Sequence, residues 1–345
     1  VPHKLALIGF GGVGQGFVDI LEKKKKMLRD KERMDFQVVA ITDLNKGSVH
    51  HPEGLCLKEV KRAIQENGTL DAYPDQPGLI RGWDSKETIE KSNADSIVEM
   101  TFTNVLTGQP AIDHCKWAFQ AKKNVVMTNK GPVALAHDVL SKQAEDNGVN
   151  WMFEGAVMSG TPALRLPQTT LVGNDITAIQ GILNGTTNYM LTRMEKGLSY
   201  EDALFEAQKL GYAEADPTAD VEGFDVLYKI LILARVVLGI PLQREDVTCK
   251  GIQNMTLADI EKATKQGKRW KLIGSLIQTE QGLKATVQPE MLDLNDPLAG
   301  IQGATNAITY NCDLSGPITL VGAGAGIIET GYAVLIDLIN IERKR

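Results

Sequence analysis

The chain lacks the pairings that would tie it together through sulfur or metal. Its four cysteines, Cys56, Cys115, Cys249 and Cys312, are scattered and form no CxxC pair. Free thiols in a reducing compartment are therefore expected rather than a disulfide framework. The five histidines (His3, His50, His51, His114, His137) do not cluster with the cysteines, which argues against zinc. No stretch is long and apolar enough to span a bilayer; the longest, Ile230–Ile240, is interrupted by Arg235. No signal-peptide pattern opens the chain, and no internal repeat or low-complexity segment stands out. Positive charge is not in excess either. Thirty-seven Lys and Arg face 43 Asp and Glu, for a net charge of −6. Nucleic acid and anionic membranes are therefore not expected as main partners. The composition points to a soluble cytoplasmic protein acting on small molecules.

Glycine, in contrast, is plentiful at 33 of 345 residues. A chain of this length predicts two domains. Buried-strand patterns at Lys4–Gly9, Phe36–Thr42, Asp95–Glu99 and Asn124–Met127 alternate with helical patterns, among them 108–121 and Pro132–Asn147. Such alternation predicts an α/β fold with a Rossmann-type, doubly wound parallel sheet over residues 1–150. The pattern then changes. Strands are expected at Asp175–Leu183, Leu272–Gln278 and Gly282–Val287, with helices at Tyr189–Lys196, Tyr200–Leu210, Phe224–Leu238 and Ala258–Gln266. This reads as an α+β domain over 151–319 on an antiparallel or mixed sheet. An apolar helix at Thr330–Ile341 suggests that 320–345 returns to the first domain.

The first strand runs into Gly9-Phe10-Gly11-Gly12-Val13-Gly14, and Phe17, Ile20 and Leu21 follow at helical spacing. Gly9, Gly11 and Gly14 fit G-x-G-x-x-G. The three glycines serve a tight turn, close approach of a pyrophosphate and tight packing of helix on strand, and the helix N-terminus offers free N–H groups to phosphates. The strand before the motif and the helix after it supply the context the motif requires. Asp43 ends the second strand and is the candidate for the adenosine ribose hydroxyls. An acid there favours NAD over NADP.

The second informative run is Gly211-Tyr-Ala-Glu-Ala-Asp-Pro-Thr-Ala-Asp-Val-Glu-Gly-Phe-Asp-Val-Leu-Tyr-Lys229. On a helix Asp225 and Lys229 stand one turn apart on the same face. A lysine among carboxylates suits proton transfer or the binding of a zwitterion. Acids at a helix start can equally be favourable charge on the helix dipole, and the residues alone leave both readings open.

These segments together resemble the homoserine dehydrogenase family. The resemblance runs nearly end to end. Gly9–Gly14, the stretch from Glu99 to Ala111, 128–134 (TNKGPVA), 154–162 (EGAVMSGTP), 181–191 (GILNGTTNYML), the Gly211–Lys229 run and 316–326 (GPITLVGAGAG) carry it. It implies interconversion of L-homoserine and L-aspartate 4-semialdehyde with NAD or NADP, on the route to threonine, methionine and isoleucine. It also implies a homodimer formed through the catalytic second domain. By the same resemblance Lys229 matches the proton donor, Glu214 and Asp225 match substrate-binding acids, and Gly185 and Thr186 line the substrate pocket. Lys130 matches a lysine near both cofactor and substrate. Thr103, Gly211 and Gly326 match cofactor-side positions. Glu154, Val157, Ser159 and Thr161 match a site for a monovalent cation, Na⁺ or K⁺, bound mostly by backbone carbonyls. There Met158-Ser159 departs from the small pair usual in the family. Asp216, Asp220 and Glu222 are left as scaffold. No regulatory domain or aspartate kinase fusion is expected.

The chemistry agrees with these roles. Homoserine is a zwitterion carrying an alcohol, so carboxylates can hold its ammonium. Loss of hydride from its carbinol carbon requires a group to take the hydroxyl proton. Lys130 and Lys229 both remain candidates for that group. Two other readings stand beside this one: a dehydrogenase of another amino acid alcohol, and a non-catalytic NAD(P)-binding sensor on the same scaffold. The presence of Lys229 and its acids speaks against the sensor.

Overall fold

The computed structural model describes residues 1–344; Arg345, the last residue of the expected returning segment, lies outside them. The chain divides into two compact units. One comprises Val1–Gly160 and the C-terminal residues from Gly326 onward, the other Thr161–Ala325.

The first unit is built on strands β1 (His3–Ile8), β2 (Phe36–Asp43), β3 (Gly47–His50), β4 (Ile80–Arg81), β5 (Ser96–Glu99), β6 (Asn124–Met127) and β7 (Trp151–Met152), in the order β4-β3-β2-β1-β5-β6-β7. From β2 to β7 every pairing is parallel. The far edge departs from the expected parallel sheet, because β3 and β4 are antiparallel additions. Strands of four and two residues, with no apolar run, leave no periodic signal.

Helices α1 (Gly12–Met27), α2 (Leu57–Asn67), α3 (Ser85–Lys91), α4 (Ala111–Gln120) and α5 (Lys130–Asp146) connect the strands. Leu5, Leu7, Val98 and Val126 of the sheet pack with Phe17, Val18 and Leu21 of α1, all at most 5% exposed. Each such side chain contributes roughly 1.5–3 kcal/mol relative to exposure. The C-terminal helix, Ile327–Arg343, joins this core through Val334, Leu335 and Leu338.

One buried charge in this unit has a measurable consequence. Lys123, between α4 and β6, is 7% exposed. Its ammonium donates to the carbonyl of Ile89 and, at 2.6 Å, to that of Ser92, both at the C-terminus of α3. Burial lowers its pKa to about 8, against an ordinary 10.5. Between those two values the unfolded chain holds a proton that the folded chain has released, so stability rises with pH in that window. Lys123→Met is expected to remove this component. Urea titrations of both proteins at pH 8 and pH 10 measure it, and an unchanged pH dependence in the variant would refute it.

The second unit contains α6 (Arg165–Thr169), β8 (Ile176–Ile182), α7 (Gly185–Met194), α8 (Tyr200–Lys209), α9 (Thr218–Val221), α10 (Phe224–Leu238), β9 (Val247–Cys249), α11 (Leu257–Lys265), β10 (Lys268–Thr279), β11 (Gly282–Asp293), β12 (Thr305–Cys312) and β13 (Gly316–Ala323). Its sheet has the order β13-β12-β8-β10-β11-β9 and is antiparallel except for the β11–β9 pair. β10 and β11 form a hairpin closed by Glu280 and Gln281, with Thr279 opposite Gly282. Both strands run longer than their apolar pattern. Hydrogen bonding carries the pairing on through Lys268–Lys271 and Gln288–Asp293, where polar residues break the pattern.

α10 is the centre of this unit. Val226 through Ala234 are all buried, which fits a helix apolar on every side. Lys229 is the single charged residue in that buried stretch.

Candidate active site

The expected site residues divide between the two units. In the second unit, two chain turns and one helix bring several of them together. β8 ends at Ile182, and Leu183 and Asn184 lead into α7. Asn184 is the N-cap, and its Oδ1 accepts from Thr187 N at 2.9 Å. This is what Asn before a helix start does well, since it satisfies an N–H with no partner inside the helix. Gly185 follows with no room for a side chain, because a Cβ there would lie 2.8 Å from the carbonyl oxygen of Ala304.

Lys229 sits on α10, 7% exposed. Its Nζ donates to Leu183 O and to Asp225 Oδ2, each at 2.6 Å. The Asn184 amide donates to the same Asp225 Oδ2 at 3.0 Å and to Asp220 Oδ1 at 2.7 Å. Thr186 donates its hydroxyl to Tyr212 O, which fastens the run after Gly211 to the start of α7. A lysine, two carboxylates, an amide and a helix start thus share one hydrogen-bonded cluster.

Burial pushes the Asp220 carboxyl above the ordinary carboxylate range, and the neighbouring Asp225 pushes it further in the same direction. The bond from Asn184 and the charge of Lys229 oppose the shift without cancelling it. Asp220, expected as scaffold, therefore belongs to the cluster. In the sequence it is one acid among five, and only the turn of α9 aims it at Asn184. Asn184 likewise emerges as the bridge between two carboxylates; in the sequence it is one residue of the 181–191 segment. Asp216 does fit a local role, accepting from Thr218 N at 3.1 Å. Glu214 is exposed on the turn after α8, where its carbonyl accepts from the Gln208 side chain at 3.0 Å. Among the described residues its carboxylate makes no hydrogen bond to the cluster. Gly211 is exposed at the end of α8 with φ +77°.

In the first unit, Gly9 turns the chain out of β1 with φ +89°, where a Cβ would stand 2.8 Å from the main chain of Met100. Gly11 is the N-cap of α1 and makes no side-chain cap, and the first turn carries no acid. A Cβ on Gly11 would meet nothing within 4 Å. The space beside Gly11 at this helix start is open, an arrangement a phosphate group fits. Phe10 is buried under the turn, Val13 is half-buried and Gly12 is exposed. Gly14 packs close to Gly9 O, 3.0 Å from its ideal Cβ position.

Asp43 Oδ2 accepts from Phe10 N at 2.7 Å, and its Oδ1 accepts from the amides of Asn45 and Lys46. Burial alone would raise its pKa. These three amides and the Lys46 ammonium outweigh burial and hold the carboxyl below its ordinary range, so it is ionised at neutral pH. Lys130 opens α5 behind the N-cap Asn129. The Asn129 Oδ1 accepts from Gly131 N, and its Nδ2 donates to Phe102 O, each at 3.0 Å. This ties the helix start to the loop that carries Thr103, which is half-buried. Gly326, at φ +140°, precedes the C-terminal helix.

Glu154, Val157 and Ser159 are buried, while Thr161 begins the second unit and donates its hydroxyl to Ala323 O at 3.1 Å. Met158 and Ser159 are consecutive non-glycine residues at φ +58° and +46°, a costly left-handed pair. Among the described residues no group of three or more His, Cys, Asp or Glu could hold a metal ion.

A glycine turn of dinucleotide-binding type in one unit and a lysine held by a carboxylate in the other are the parts of a nicotinamide-dependent dehydrogenase. The sequence model of the family described as homoserine dehydrogenase matches residues 162–339. An NAD(+)-dependent homoserine dehydrogenase of Pseudomonas canavaninivorans is 43% identical over 99% of this chain and 96% of its own length. A homoserine dehydrogenase of Methanocaldococcus jannaschii is 41% identical over 98% of both chains. Among solved structures, a hyperthermophilic archaeal homoserine dehydrogenase mutant in complex with NADPH superposes with a TM-score of 0.85 at 28% identity, covering 100% of this chain and 99% of that one. The homoserine dehydrogenase of Thiobacillus denitrificans gives 0.86 at 31% identity, over 99% of this chain and 74% of that one. The chain belongs to the homoserine dehydrogenase family. Among the described residues no helix is long and apolar enough to cross a membrane.

Proposed function

We propose that this chain catalyses the NAD(P)-dependent interconversion of L-homoserine and L-aspartate 4-semialdehyde, in the biosynthesis of threonine, methionine and isoleucine. The observation that carries the reading is the buried Lys229 ammonium, held by Leu183 O and Asp225.

Gly9, Phe10, Gly11, Gly12, Val13 and Gly14 would hold the pyrophosphate of the cofactor, and Asp43 the ribose hydroxyls. Thr103, Lys130, Gly211 and Gly326 would stand on the cofactor side. The nicotinamide, when bound, supplies the hydride acceptor. The chain itself must handle the proton and the charge. Lys229, as the neutral amine, takes the proton of the substrate hydroxyl on Nζ during oxidation and so becomes the ammonium, which returns that proton during reduction. Asp225 orients that ammonium. Together with Glu214 and Asp220 it provides the negative charge for the substrate ammonium. Gly185 and Thr186 form the wall at the start of α7.

Asp43 favours NAD, because a 2′-phosphate would place a second anion beside an ionised carboxylate. The loop at Glu154, Val157, Ser159 and Thr161 is proposed to take a monovalent cation. Neutral carbonyl oxygens suit such an ion, and the left-handed pair at Met158 and Ser159 is a strain that a bound ion would offset. Pairing of two copies through the second unit is proposed as the working assembly.

The test follows the absorbance of reduced cofactor with homoserine, with NAD and NADP in turn, and with and without Na⁺ or K⁺. Turnover with homoserine and a higher kcat/KM for NAD are expected. Bound cofactor without turnover of homoserine or any related hydroxy amino acid would overturn the reading in favour of a sensor.

A further inference from the structure

Behind the α7 helix start lies a buried polar network that the proposed chemistry does not use. Lys271, on β10, is 0% exposed. Its Nζ donates to Asn188 Oδ1 at 3.1 Å and to Ile301 O at 2.6 Å. The Asn188 amide donates to Gly303 O at 2.9 Å, to Thr305 O at 3.1 Å and to Ile301 O at 3.4 Å. One turn further along α7, the Thr192 hydroxyl accepts from Gly303 N at 3.1 Å and donates to Asn188 O at 2.7 Å. Glu195 follows on the same helix side, with Arg269 at 3.6 Å. Burial lowers the Lys271 pKa to about 8 and raises that of Glu195.

A methionine would fill the position of Lys271 without the cost of burying an ammonium. What the lysine and its partners achieve is geometric. They tie the 301–305 loop to one side of α7 at several points. The same loop presses Ala304 O against Gly185. The α7 N-cap, Asn184, holds Asp220 and Asp225, and Leu183 O holds Lys229. A shift of α7 along its axis would move all of these contacts together.

We propose that Lys271 is a positioning residue: through Asn188 and the 301–305 loop it fixes where α7 begins, and so where Asn184, Gly185 and the Lys229–Asp225 pair stand. The inference rests on the reading of that pair as the substrate site.

The test uses the full chain with Lys271→Met, Thr192→Val and Lys123→Met. The first removes the lysine, and the second removes one tie between the loop and α7, the bond from Gly303 N, without touching Lys271. The third is another buried lysine, in the other unit, hydrogen-bonded to the end of α3. Loss of a buried donor costs on the order of a tenfold change in an equilibrium. Lys271→Met should raise KM for homoserine by about that factor and lower kcat, with cofactor affinity, read by reduced-cofactor fluorescence, within about twofold. Thr192→Val should give the same split at smaller size. Lys123→Met should change stability and leave KM and kcat alone. If Lys271→Met only changes stability, as Lys123→Met does, the inference is wrong. If Lys271→Met does not fold, Thr192→Val decides: wild-type KM and kcat in that variant overturn the inference, and the split supports it. Absence of turnover with homoserine in the wild type would instead overturn the reading under the proposed function, while the cofactor-affinity series would still show whether the variants fold.

Discussion

Lys229→Ala is expected to lower turnover by about 10²–10⁴-fold, the usual contribution of a positioned acid–base group, while NAD(P) binding persists. The side chain is 7% exposed and makes two bonds of 2.6 Å. Its loss leaves Leu183 O and Asp225 Oδ2 each short of one donor, a cost of about 1–3 kcal/mol. Lys229→Met keeps most of the volume and separates packing from chemistry. Circular dichroism and cofactor fluorescence should match the wild type for both variants. Lys130→Ala, measured in parallel, tells which lysine moves the proton. Intact turnover in folded Lys229→Ala would transfer the role to Lys130.

Asn184→Ala is the second large effect. The amide donates to both Asp220 and Asp225. Without it two carboxylates face each other with less to offset their repulsion, and one of them retains a proton to higher pH. Asp220 already lies above the ordinary range through burial and through Asp225. Its shift should grow in the variant. Because the anion is the form that holds an ammonium, kcat/KM falls as pH drops through this pKa. The acid limb of the profile should therefore move to higher pH in Asn184→Ala and to lower pH in Asp220→Asn. At neutral pH, loss of the charge-assisted bonds should lower kcat/KM by about 10–100-fold. Part of the loss in stability, about 1 kcal/mol, belongs to the missing helix cap. Profiles of the two variants that superimpose on the wild type would remove Asp220 from the site.

Much of the fold can be read along the chain. β6 and α10 begin and end where their patterns predict, at Asn124–Met127 and Phe224–Leu238. In both cases flanking residues and periodicity give the same answer. The Gly9–Gly14 turn is equally legible, since strand, turn and helix follow one another within a few residues. Other elements left little trace. β12 and β13 mix Thr, Asn and Gly into short strands, and the pairing of β12 with β8 is decided across more than a hundred residues of sequence. α5 starts at Lys130, before the expected Pro132, because Asn129 caps it there through Gly131 N.

For the site, the sequence by itself determined the kinds of groups available: a glycine turn open to phosphate, a lysine one turn from an aspartate, and an asparagine in the turn of the 181–191 segment. Each of these is a local matter, settled by backbone conformation and spacing among near neighbours. Only the tertiary structure decided which of five acids meets that lysine and that asparagine. Lys229 reaches Leu183 across 46 positions, and Asn184 reaches Asp220 across 36. No local preference encodes such contacts. They follow from burying α10 at the centre of its unit and from closing α9 against α7. The resulting exclusion of water raises the pKa of one carboxylate of the run, Asp220.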